Sequence, residues 1–127
     1  MVLMNFRRFQ AGPDPFGRTW EVEFRWQQNG ITIRHADTVD VKFHVSTVDE
    51  PKQERVIALR HPDLMRLAEE TGRPMSDALC LKLAALHLKH MIESDEDMEK
   101  TLVTAPYPEL VRYASMVDEA SRQPARA

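Results

Sequence analysis

The chain has a single cysteine among 127 residues, which excludes an intramolecular disulfide framework and any multi-cysteine zinc or iron–sulfur centre. Glycine is almost as scarce. The four present are never spaced as a phosphate-cradling loop, so nucleotide binding through a glycine-rich turn is excluded. No long apolar run occurs, and Met1–Gly12 (MVLMNFRRFQAG) carries arginines where a signal peptide needs its hydrophobic stretch. Neither sign of charge dominates, since 17 basic and 20 acidic residues leave a net charge of −3. Residues 1–60 are nearly balanced and residues 61–127 hold the acidic excess, so the basic footprint of a nucleic-acid binder is missing. A nucleophile elbow and a His-Glu-x-x-His helix are also missing. The expectation is a cytoplasmic, non-enzymatic protein with no cofactor and no membrane association.

What is present is ordinary globular composition, 43% hydrophobic and 29% charged. The length predicts one domain over residues 1–120 and a flexible tail over 121–127. Arg18–Gln27 (RTWEVEFRWQ) alternates, with Trp20, Val22, Phe24 and Trp26 on one face and Thr19, Glu21, Glu23 and Arg25 on the other. That is the pattern of a half-buried strand. Gln27–Gly30 reads as a turn, and Ile31–His35 and Thr38–Val48 continue the alternation. Charge pairing favours a register with Glu23 opposite Arg34, Phe24 opposite Ile33 and Trp26 opposite Ile31. Glu54–Arg60 (ERVIALR) follows as a more buried strand, and Val2–Phe9 is a further candidate.

The second half has helical periodicity. Pro62 and Asp63 suit a helix start, with His61 as its cap, and Gly72 suits its end. Ser76 is a fair N-cap for a long helix to about Glu93, and Pro108 opens a third helix with Leu110, Tyr113, Ala114 and Val117 on one stripe. Strands over residues 2–60 and helices over 62–120 define an α+β fold, an antiparallel four- to five-stranded meander with three helices on one face.

The long helix carries the candidate chemistry. Leu79, Leu83 and Leu86 face one side, and Leu81, Leu88 and Ile92 nearly the opposite one, so more than one neighbour must cover it. A second copy of the chain is the expected cover, which predicts a homodimer. His87, His90 and Glu93 are the candidate metal or small-ligand residues, spaced His-x-x-His-x-x-Glu. Glu93 turns well away from His87, and no second Glu-x-x-His pair completes a site, so the competing reading is a hydrogen-bonded core histidine beside an interfacial one. Cys80 reads as a small buried hydrophobe. The run Glu93, Asp95, Glu96, Asp97 and Glu99 reads as a solvated linker.

One arrangement resembles a known family. Glu54–Ile92 runs strand (ERVIALR), short helix (PDLMRLAEETG), turn (RPM) and longer helix (SDALCLKLAALHLKHMI), which resembles a ribbon-helix-helix repressor. The resemblance implies a dimeric DNA binder using residues 54–92, whose paired strands enter the major groove. The reading positions would be Arg55, Ile57 and Leu59, or Val56, Ala58 and Arg60, mostly apolar where that family exposes polar or basic groups. Three functions follow as expectations: a self-associating interaction module, this DNA binder, and a ligand or metal site at His87 and His90.

Overall fold

Four antiparallel strands form a meander, and a fifth joins it in parallel after two helices have intervened. The computed structural model describes residues 5–30 and 37–122. The elements are β1 (Arg8–Ala11), β2 (Trp20–Gly30), β3 (Thr38–Thr47), β4 (Glu50–Arg60), α1 (His61–Thr71), α2 (Asp77–Ser94), β5 (Leu102–Thr104) and α3 (Tyr107–Arg122). The sheet order is β1-β2-β3-β4-β5, with only the last pairing parallel. The class is the expected α+β one, with four strands before the helices. The fifth strand lies between α2 and α3, beyond the expected strand region of residues 2–60, and pairs in parallel.

Alternation works as expected up to one residue. Trp20 and Val22 point into the core beside Phe9, Val45 and Phe43. A bulge at Arg25 then inserts one extra residue, which inverts Trp26, Gln27 and Gln28 relative to the expected alternation. Trp26, expected inside, therefore pairs with Lys42 on the outer face, 38% exposed, with the Lys42 ammonium 5.3 Å from its ring centroid. Gln27 takes the inner position opposite Val41 and reaches the Asp77 carbonyl of α2 at 3.3 Å.

The expected register also changes. β2 runs on through Asn29 and Gly30, which pair with Val39 and Thr38, so β2 and β3 are direct neighbours with no strand between them. Glu23 lies between Arg8 of β1 and His44 of β3, and its carboxylate meets Arg8 at 2.9 Å. Arg34, the partner proposed for it, and the rest of the expected Ile31–His35 strand fall outside the described residues. So does the first part of the candidate strand Val2–Phe9; the described edge strand starts at Arg8. The tail expected from Ser121 is helical through Arg122.

Helix ends follow local chemistry closely. Gly72 adopts φ 71° and donates its N–H to the Ala68 carbonyl, closing α1. The Ser76 hydroxyl accepts from the Leu79 N–H at 3.1 Å and starts α2. His61 is not a cap; it is the first residue of α1, and Arg60 stands at the cap position without a side-chain bond.

The long helix α2 packs across β1 to β4 on one side and against α3 on another. Leu79, Leu81, Leu83, Leu86, Leu88, Met91 and Ile92 are all buried within one chain. The apolar circumference expected to recruit a second copy is therefore already covered, by the sheet below and α3 with Tyr113, Ala114 and Val117 above. No helix among the described residues is long and apolar enough to cross a membrane.

Candidate functional site

A buried histidine on an apolar helix must find a hydrogen-bond partner, because an unsatisfied imidazole costs desolvation energy. His87 is 5% exposed, and its Nδ1 lies 2.9 Å from the Tyr113 hydroxyl of α3. Tyr113 in turn lies 3.2 Å from the Glu109 carboxylate, which also accepts from Arg112. Spacing explains this chain: Glu109 and Tyr113 are four residues apart on α3, hence on one face, and that face lies over α2.

The chain of groups borders a cleft of about 420 Å³. Its walls are His87 and His90 from α2, Glu96 and Asp97 from the turn after it, Thr104 at the end of β5, Pro106 beyond it, and Glu109 and Arg112 from α3. Asp95 and Asp97 both adopt φ 57°, and this double left-handed turn swings Glu96 back beneath α2. His90 Nε2 then lies 3.6 Å from the Glu96 carboxylate.

Of the three candidate residues, His87 and His90 border the cleft and Glu93 does not. Glu93 is spent on Lys89 at 2.7 Å on the polar stripe of α2, and Glu96, Asp97 and Glu109 occupy the place it was given. Among the described residues no three His, Cys, Asp or Glu side chains converge as metal ligands. The acidic run, read as a solvated linker, thus contributes two walls of the cleft. The stripe on α3 places Tyr113 in the core without naming its partner; the i, i+4 spacing from Glu109 and the need of a buried tyrosine hydroxyl for a partner are the signals that point to one.

Burial, reinforced by nearby His90, lowers the His87 pKa below its ordinary value, while Glu109, Asp97 and Glu96 oppose the shift. Burial first, with Glu109 beside it, pushes the Tyr113 hydroxyl up to about 12. Both groups are therefore neutral near pH 7. Because native His87 binds a proton less readily than the unfolded chain does at a pKa near ~6.5, stability should be full above that pH and decline as pH falls towards the native value. His44 adds to the decline, its pKa lowered by burial and then by Arg25, Lys52 and Lys42. Urea melts between pH 7 and pH 5 should show a shallower loss in His87→Gln than in the parent; equal slopes would place the sensitivity elsewhere.

Two buried titratable groups, Asp14 and Cys80, lie outside this cleft. Asp14 sits at the β1–β2 corner, where burial would raise its pKa, but hydrogen bonds from the Trp20 indole, the Arg18 backbone and side chain, and the Phe16 N–H outweigh it and hold the carboxylate ionised. Cys80 is buried, and burial first, then Asp77, pushes its thiol up to about 11. Thiol reagents at neutral pH should label it only at the rate of unfolding, and stoichiometric labelling within the dead time of mixing would contradict this.

The ribbon-helix-helix resemblance ends at the order of elements. At Val56–Ala58, β4 pairs with β3 on one side and β5 on the other, so this stretch has no edge left for a second copy's strand. No protein-family model, curated protein or solved structure matches the chain.

Proposed function

We propose that the protein is a non-enzymatic cytoplasmic module that binds a small polar ligand in the cleft between the C-terminal end of α2 and α3. The observation that carries this reading is the buried His87, tied by Nδ1 to Tyr113 and bordering a cleft with carboxylates on its other walls. A buried titratable side chain with a shifted pKa that borders a concavity is a candidate binding-site group. Side-chain NMR of His87 and His90 tests it. Pools of small polar compounds should include at least one that shifts both imidazoles in the parent and neither shift should survive in Glu96→Gln, Asp97→Asn. Silence across all pools at millimolar concentration would refute the reading.

A second reading, a self-associating interaction module, draws support from another surface. Leu64, Met65, Ala68, Met75 and Cys80 line a groove of about 430 Å³ between α1 and the start of α2, and Met65 is 66% exposed. Methionine-lined grooves adapt to apolar partners. Light scattering over a wide concentration range should give a dimer that Met65→Lys dissolves; a monomer throughout would end that reading.

A further inference from the structure

The hydrogen-bond chain behind the cleft determines what the cleft can bind. A carboxylate only accepts, so the Glu109 contact with Tyr113 is favourable only when the tyrosine donates its one proton to Glu109. The tyrosine oxygen can then accept from an Nδ1–H of His87, 2.9 Å away. The opposite arrangement, with tyrosine donating to His87, would set two acceptors, the phenol oxygen and the carboxylate, 3.2 Å apart. Nδ1–H leaves Nε2 as a bare lone pair, and among the described residues no protein group donates to it. His87 thus offers the cleft an acceptor from a side chain 95% removed from solvent, being 5% exposed.

The other walls repeat that polarity. Glu96 and Asp97 are acceptors, and the Thr104 hydroxyl can accept as well. The one guanidinium on the wall, Arg112, is committed to Glu109. Lys100 lies 3.1 Å from Asp97 at the solvent side, and His90 stands 3.6 Å from Glu96. A concavity lined by acceptors and carboxylates, with its cation already paired, is complementary to a positive hydrogen-bond donor. Three converging metal ligands do not exist among the described residues, which disfavours a bare divalent ion.

We infer that the cleft takes a small cationic hydrogen-bond donor, an alkylammonium or guanidinium group, with His87 Nε2 as its deepest acceptor. This rests on the binding-module reading and names its ligand class.

The probes are n-butylammonium and methylguanidinium, against tetramethylammonium, acetate and zinc chloride alone, with imidazole nitrogen shifts as readout. In the free protein His87 should be the Nδ1–H tautomer; an Nε2–H signal would overturn the inference before any ligand is added. Butylammonium or methylguanidinium should shift His87 Nε2, while tetramethylammonium, which has charge but no N–H, should not. Glu96→Gln, Asp97→Asn should weaken that binding by about tenfold or more, the loss of a charge-assisted hydrogen bond. Glu93→Gln, outside the cleft, should leave it unchanged. An equal response to tetramethylammonium, or one confined to acetate or zinc, would overturn the cationic-donor class while the cleft remained a binding site. No response at His87 to these probes or to the pooled compounds would overturn both.

Discussion

Leu88→Lys should unfold the protein. Leu88 is fully buried in α2, between the sheet and α3, and a lysine there must either leave an unpaired ammonium in the core or force the helix out. The cost is about 4 kcal/mol or more, a large share of the ~5–15 kcal/mol that holds a domain of ordinary stability together. Lys82→Glu, on the partly exposed stripe of the same helix, should change stability by no more than about 0.5 kcal/mol. Urea melts of both variants make the comparison. The outcome bears on assembly too, because the apolar residues of α2 are already buried within one chain. A Leu88→Lys protein that melts like the parent but dissociates would instead make α2 an interface.

Arg55→Ala should cost about 2–3 kcal/mol, and its effect should reach a segment far along the chain. Arg55 is 7% exposed on the inner face of β4, opposite Phe43. Its guanidinium donates to the Gln53 side chain, to the Glu54 carbonyl and to the Met98 carbonyl of the turn after α2. Burial lowers its pKa, partly offset by Glu50 and Glu99, and its Nε–H has no partner. Removing it orphans the Met98 carbonyl and releases the turn that leads into β5, so amide exchange across Thr101–Thr104 should accelerate. Arg55→Met keeps the aliphatic stem and removes the buried charge, and should lose less stability than alanine while losing the same exchange protection. Equal exchange in all three proteins would show that Arg55 does not hold the turn.

The elements that were legible are those set by short-range chemistry. Trp20 and Val22 face inward because strands alternate, Gly72 ends α1 because it accepts positive φ, and Ser76 starts α2 because its hydroxyl satisfies a free N–H. Features decided by one inserted residue or by distant partners were not legible. A bulge at Arg25 leaves no periodic trace, yet it moves Trp26 from core to surface. β5 has only Leu102–Thr104, too few for any pattern, and it exists because Ile57 and its neighbours offer an edge. In the candidate site, His87 and His90 follow from their spacing on α2. Their carboxylates do not, because two left-handed residues at Asp95 and Asp97 decide which acid returns to the helix.

The parallel pairing of β5 with β4 also orders events in time. β4 ends where α1 begins, and both α1 and α2 must be made before Leu102 can reach Val56. Antiparallel neighbours close by short connections, whereas a parallel pair waits for its crossover. On the ribosome the Val56–Ala58 edge therefore stays open after the meander has formed, with inner-face apolar groups still lacking α2. A nascent chain halted before Leu102 would carry an unpaired strand edge beside a face made for helices, the condition in which partly made proteins stick to one another. Closure by these three residues can therefore come only after α1 and α2 have been made.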